Sequence, residues 1–235
     1  MAADLLFIVP PSLADGAGEG QPITCATPYG TVNGFITVGG LHLLPRPLWS
    51  DARAMVYAAK DLGYEWLLAV DAVEPVSRLL EPGDLVVPGD VIDQTHLRPF
   101  TFFAGKGYGF IPTNPACCPD LSAASFAACR TLTPRSFRGA TYLCTDGPRR
   151  PTPAEKRMYR QWGVDVVGNG LLPEAFLARE LELHYAALTV VGQVGLLPVL
   201  HTIAGFARGE QPCTCGESMK GLKEQRIVGT DWRTW

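Results

Sequence analysis

Charge is scarce in this 235-residue chain. Asp, Glu, Lys and Arg together make up 18% of it, below the usual quarter. Set beside 47% apolar residues, this excludes a disordered protein and implies that sister subunits cover part of the surface. A net charge of −3 and a pI near 5.8 leave no basic footprint for a nucleic acid. Histidine is rare, with four copies. The seven cysteines, Cys25, Cys117, Cys118, Cys129, Cys144, Cys213 and Cys215, contain no C-x-x-C pair. Both facts argue against a cysteine-built zinc site and against a secreted disulfide framework. The first apolar stretch carries Asp4 and follows no cationic region, so a signal peptide is not expected. From Leu183 to Ala207 there is no Asp, Glu, Lys or Arg, a run long enough to span a bilayer. Gly192, Gln193, Gly195, Pro198 and His201 interrupt it, so a buried strand, a turn and a helix are expected instead. The expectation is a soluble cytoplasmic protein with neither a membrane nor a nucleic-acid partner.

Glycine and proline, by contrast, are plentiful, at 25 and 20 copies, which predicts many short elements and turns. Apolar runs predict strands at Asp4–Pro10, Asn33–Val38, Trp66–Ala72, Leu85–Ile92, Thr141–Cys144, Val164–Val167 and Tyr185–Val191. Pro88 marks a bulge or an edge. Helices are expected at Trp49–Leu62, Leu121–Leu132, Pro153–Trp162, Pro173–Leu181, Pro198–Arg208 and Glu217–Glu224. Ser50-Asp51 starts the first of these and Gly63 ends it. Thr152 with Glu155 forms a capping box for the third. Strands alternating with helices give an α/β class, and no repeat or linker divides residues 1–235. Ligands of such sheets bind beyond the carboxyl ends of the strands. That rule points to Pro10–Leu13, Val38–Leu41, Asp71–Pro75, Asp93–Arg98, Thr145–Arg150, Asn169–Leu172 and Gly192–Gly195.

Two of these regions carry a resemblance. Residues Glu81–Phe103 read EPGDLVVPGDVIDQTHLRPFTFF, and Thr145–Glu182 read TDGPRRPTPAEKRMYRQWGVDVVGNGLLPEAFLARELE. Their Pro-Gly-Asp, Asp-x-Thr-x-x-Arg-Pro, Gly-Pro-Arg, Pro-Ala-Glu and Pro-Glu-x-x-x-Ala-Arg-Glu elements resemble the trimeric purine nucleoside phosphorylases, especially the methylthioadenosine branch. Cys213-Thr-Cys215 resembles the Cys-x-Cys tail of many members. The resemblance implies one nucleoside-phosphorylase-like domain over residues 1–235, with a central distorted mixed sheet flanked by helices. It also implies a homotrimer or hexamer, a nucleoside-like small-molecule ligand, no metal and no cofactor. Family chemistry cleaves an N-glycosidic bond with phosphate as the acceptor.

The positions matched to the family's phosphate ligands depart from its pattern. Its Gly-Thr-Gly turn is Pro10-Pro11-Ser12 here, where two prolines lack N–H groups and Ser12 offers one hydroxyl. Counting back without gaps from Gly63 and Pro47 places Val38, Gly39 and Gly40 at its Arg-His-Gly element, which removes the cation. Its Thr-Ala-x-Gly-Ser element is Asp71-Ala72-Val73-Glu74-Pro75, which brings acids where a dianion would lie. By the resemblance Asn169 and Gly170 face the sugar, Arg150 and Gln193 face the base, and Phe110 suits an apolar 5′ substituent. Asp71 reads as a general base for water, as a strand-end acid capping a local turn, or as an acid paired with Arg46 or Arg78. Glu74 reads as a solvated or paired loop acid. Arg150 reads as a base-site cation or as a partner of Asp146 or Glu155, and Asn169 as a sugar ligand or a turn former. Asp93 and Arg98 are taken as structural. The expected activity is hydrolysis or an altered transfer at a nucleoside's glycosidic bond, with Asp71 and Gln193 catalytic. The alternatives are a silent ligand-binding or partner subunit of an active homologue, or recruitment to other chemistry.

Overall fold

The computed structural model describes residues 5–105, 110–192, 195–206, 213–229 and 232. The strands are β1 Leu5–Val9, β2 Gly20–Thr27, β3 Gly30–Thr37, β4 His42–Pro45, β5 Trp66–Pro75, β6 Leu85–Gln94, β7 Ser136–Thr145, β8 Val166–Gly168 and β9 His184–Val191. The helices are α1 Pro11–Gly16, α2 Ala52–Asp61, α3 Pro119–Leu132, α4 Pro153–Gln161, α5 Glu174–Glu180, α6 Leu197–Gly205 and α7 Lys220–Glu224. The expected α/β class and mixed sheet are present.

Among the described residues nine strands lie in the order β2-β3-β4-β1-β5-β8-β7-β6-β9. β9 also pairs in parallel with β5, Trp66 against His184 through Val73 against Val191. Strands β5, β8, β7, β6 and β9 therefore close into a ring, and β1, β4, β3 and β2 extend from it as a wing. The distortion expected of the sheet is this closure. β1 is buried at all five positions and β5 over Leu67–Asp71, as continuous apolar strands of a doubly covered parallel sheet should be. Met55 and Val56 of α2 and Leu177 and Ala178 of α5 cover one side. Leu121 and Cys129 of α3 and Leu200 and Ile203 of α6 cover the other.

Local signals decide several boundaries. Asp51 caps α2 by accepting the Arg53 N–H at 2.9 Å, and Gly63 follows the helix at φ +84°. Pro88, with no N–H to give a ladder, coincides with register shifts between Val87, Pro88 and Asp90. The charge-free run resolves into β9 and α6, and no helix among the described residues is long and apolar enough to cross a membrane. Three elements were not expected. β2 is mostly exposed and contains Pro22, so it shows no apolar alternation. β4 has only four residues and ends on Pro45, and α1 begins between prolines.

β1, β4, β5 and β9 run in parallel through β1–β4, β1–β5 and β5–β9 pairing. Residues Pro10, Arg46 and Gly192 just past β1, β4 and β9, and Asp71 in the second half of β5, lie toward one end of the sheet, the end where a ligand belongs.

α4 sets the position of the Arg149-Arg150 loop, and its start rests on the capping box: Glu155 N–H donates to Thr152 Oγ1 at 3.2 Å, and Thr152 N–H to Glu155 Oε2 at 2.7 Å. Thr152→Ala is expected to lower stability by about 1 kcal/mol, read as a shift of the urea midpoint at unchanged slope.

Candidate functional site

The site is organised by a buried guanidinium. Arg46 leaves the end of β4 with its backbone N–H donating to Val9 O at 2.8 Å. Its side chain turns under the sheet end, where Nη1 donates to Glu174 Oε1 at 3.2 Å and Nη2 lies 3.7 Å from Asp71 Oδ1. Asp71 comes from β5 and Glu174 from the start of α5, and they are 8% and 1% exposed. Burial works to lower the Arg46 pKa, but Glu174 and then Asp71 outweigh it and hold the group above its ordinary value. One cation thus faces two carboxylates, leaving the cluster one negative charge.

Asp71 is fixed from behind. Tyr142 Oη donates to Asp71 Oδ2 at 2.6 Å, and the Asn169 backbone N–H donates to the same oxygen at 3.2 Å. The Tyr142 pKa is raised well above its usual value, first by burial and then by the Asp71 charge, so the phenol stays a donor. Its oxygen in turn accepts the Gly170 N–H at 2.9 Å. Asp71 Oδ1 is left facing Arg46 and the pocket. The close approach needs two glycines. A Cβ on Gly168 would lie 2.3 Å from Asp71 Oδ2, and one on Gly170 would lie 1.9 Å from Arg46 Nη2.

Three hollows meet here. The first, of about 170 Å³, is lined by Pro10, Arg46, Asp71, Arg98, Asn169 and Glu174, among others. A second, of about 240 Å³, includes Ala72, Glu74, Thr145, Arg150, Asn169 and Gly192. A third, of about 490 Å³, includes Pro10, Ser12, Leu13, Asp71, Val190 and Leu196. Within the first, Glu174 Oε2 is buried without a hydrogen-bond partner among the described residues. A buried carboxylate oxygen in that state calls for a donor, which a ligand hydroxyl or a water supplies.

The structure sorts the expected residues. Asp71 and Asn169 come together, with Asn169 Nδ2 donating to Thr145 Oγ1 at 2.9 Å and Thr145 O at 3.1 Å. Asp71 is paired with Arg46, one of the partners expected for it, and lines the first and third hollows. Ser12 is exposed and lines the third hollow. Gly170 is buried, its N–H donates to Tyr142 Oη, and it makes room for Arg46. Arg150 lines the second hollow, but its acid partner is Glu74 at 3.1 Å, not Asp146 or Glu155, because Arg149 occupies Glu155 at 2.6 Å. Glu74 also meets Lys156 at 2.9 Å and belongs to β5, not a loop. Phe110 is 73% exposed and lines none of the three hollows. Gln193 lies outside the described residues. Arg98 ties strand ends together by donating from Nη2 to Thr145 O and Asp146 O at 3.3 Å each.

The largest correction concerns the cation. Ungapped counting assigned Val38–Gly40 to the position after the second parallel strand, but those residues form the turn after β3, which is antiparallel to its neighbours. The strand beside β1 and parallel to it is β4, and Arg46 follows it. The cation is present, neutralised by acids. Arg46, Glu174 and Tyr142 were missed as site residues. Leu-Leu-Pro-Arg at the end of a short apolar run was the available signal for Arg46. Chain spacing also spoke against a cysteine-built metal site, yet Cys118, His184, Cys213 and Cys215 converge at the opposite end of the sheet, with ligand atoms all within 4.8 Å of one another.

Comparison with known proteins agrees with the fold. The profile described as "Phosphorylase superfamily" matches residues 28–197. A probable S-methyl-5'-thioinosine phosphorylase of Methanopyrus kandleri is 41% identical over 178 residues, covering 70% of this chain and 69% of the relative. A 6-oxopurine nucleoside phosphorylase of Pyrococcus furiosus is 39% identical over 190 residues, covering 72% and 70%. The crystal structure of a methylthioadenosine phosphorylase from an antarctic soil metagenomic library superposes with a TM-score of 0.79 at 25% identity. That likeness covers 99% of this chain and 96% of the other.

Replacing Arg46 by leucine would leave two buried carboxylates without their counter-ion. Arg46→Leu is expected to cost about 3–5 kcal/mol of stability, measured by chemical unfolding. A loss below 1 kcal/mol would show that the guanidinium is not the organising charge.

Proposed function

The chain belongs to the phosphorylase superfamily, and from that premise we propose that it cleaves the N-glycosidic bond of a nucleoside-like small molecule with water as the acceptor. The carrying observation is that the one buried guanidinium of Arg46 faces two carboxyl groups, those of Asp71 and Glu174. Two like charges at about 4 Å repel by ~4 kcal/mol at an effective dielectric near 20. A phosphate dianion at the same end of the sheet therefore meets repulsion, while a cationic sugar is stabilised.

Charge is distributed along the bond to be broken. Beside the Asp71 pocket, Glu74 is met by both Arg150 and Lys156, so the second hollow is flanked by a net positive group. As C1′–N heterolysis proceeds, the sugar gains positive character next to the acids. The electron pair moves to the base nitrogen on the side of the cations. Electrostatic complementarity of this kind lowers the barrier because the charges are already in place. Asp71 Oδ1, with Oδ2 held by Tyr142 and Asn169, orients a water and accepts its proton as the new C1′–O bond forms. The displaced base anion takes a proton from solvent while Asp71 releases the one it took from the water, and Glu174 Oε2 accepts from a sugar hydroxyl. Asn169 lines both hollows at the junction of sugar and base. A 6-oxopurine base is taken as the leaving group, in line with the names of the two relatives above.

The same reading takes residues 1–235 as one domain acting in the cytoplasm as a homotrimer or hexamer, with no cofactor. Support for assembly comes from Trp49 and Leu97, exposed at 64% and 75% beside the site. Phe110 then reaches a neighbouring subunit's substrate.

Base release from inosine and 5′-methylthioinosine is expected to proceed in phosphate-free buffer, at a rate that added phosphate does not raise. Asp71→Asn is expected to lower kcat by about 10²–10⁴-fold while thermal-shift binding of the nucleoside persists. A rate that saturates with phosphate overturns the reading.

A further inference from the structure

A second cluster lies far from this pocket. Cys118 is the residue before α3, His184 opens β9, and Cys213 and Cys215 belong to the C-terminal tail. Cys213 Sγ is 3.0 Å from His184 Nδ1 and 3.5 Å from Cys118 Sγ. Cys118 Sγ is 3.6 Å from the same nitrogen, and Cys215 Sγ completes a group whose ligand atoms all lie within 4.8 Å. All four residues are buried or half-buried.

We propose that Cys118, His184, Cys213 and Cys215 form a structural zinc site that fastens the C-terminal tail to the sheet. Zn–S bonds of about 2.3 Å and Zn–N bonds of about 2.0 Å in a tetrahedron separate ligand sulfurs by about 3.8 Å and a sulfur from a nitrogen by about 3.5 Å. The spacings here are of that size. Three thiolates and an imidazole are a soft set that favours zinc over magnesium or calcium. Four protein ligands fill the coordination shell and leave no place for substrate or water, which makes the site structural. A disulfide would use two of the three sulfurs and give the histidine no part.

The ligands are already held from outside the cluster. The His184 ring stacks on Trp66 with centroids 3.9 Å apart and planes at 13°. The Cys118 N–H donates to Tyr185 O at 2.6 Å, and the Cys213 N–H donates to Asp120 Oδ2 at 3.1 Å. Binding releases the three thiol protons to solvent and forms three Zn–S bonds and one Zn–N bond. The tail thus anchored carries Met219, Leu222 and Val228 into the core, and Trp232 stacks on Phe103 at 4.6 Å. The zinc site and the pocket are separate. His184 pairs with Trp66 and Thr189 with Asp71, so the two lie about 17 Å apart along β5 at about 3.3 Å per residue.

The test is metal analysis of the full chain purified under reducing conditions. One zinc per chain is expected. Replacement by cobalt should give the thiolate-to-metal charge-transfer band and strong visible bands of a tetrahedral ion. Cys213→Ser, at a half-buried position, should abolish stoichiometric zinc, and a chelator should lower the Tm of the parent chain but not of this variant. Asp71→Asn should keep its zinc, which separates this site from the proposed activity. Reduced protein that is metal-free and gives no cobalt bands would overturn the proposal. So would an intact mass showing these cysteines joined as a disulfide in that preparation.

Discussion

A guanidinium buried between two carboxylates is the constraint on which the rest of the site depends. Arg46 contacts Asp71 from β5 and Glu174 from α5, so one side chain ties the wing of the sheet to the ring and to a covering helix. Burying three charges is costly unless each is paired. That requirement accounts for the local sequence. Gly168 and Gly170 leave space that a Cβ would fill, and Tyr142 takes up the acid oxygen that Arg46 does not reach.

The pairing also sets the sign of the pocket. A lone arginine at a sheet end attracts anions, whereas an arginine outnumbered by carboxylates favours a cationic reacting centre. Glu74 has the opposite arrangement, one acid met by two cations. The hollows beside the two clusters share Asn169, and under the proposed function their opposite polarity follows the charge separation of a breaking glycosidic bond. The tail is held at the other end of the sheet by the Cys118, His184, Cys213 and Cys215 cluster, so its anchoring and the chemistry of the pocket are separable.

Much of the fold was legible in the sequence because apolar periodicity and caps carry it. The strand at Trp66, the helix starting at Asp51 and the capping box at Thr152 were all readable from a few adjacent residues. The elements that escaped are those whose signal is not local. β4 is four residues between a glycine pair and a proline, and its identity comes from pairing with β1. Missing it displaced the alignment and hid Arg46. At the site, Asp71 and Asn169 stood out as polar residues ending apolar strands. Tyr142 and Glu174 did not, because a tyrosine in a buried strand and a glutamate opening a helix look ordinary until the fold brings them to Asp71. The cysteine cluster draws ligands from Cys118 to Cys215, which no spacing rule spans.

The most direct measurement of the central claim is the identity of the sugar product formed in saturating phosphate, read by mass spectrometry or phosphorus NMR. A negatively charged Arg46, Asp71 and Glu174 cluster predicts a free reducing sugar with no sugar 1-phosphate. Stoichiometric sugar 1-phosphate would contradict it and show that the dianion enters the site despite the two carboxylates.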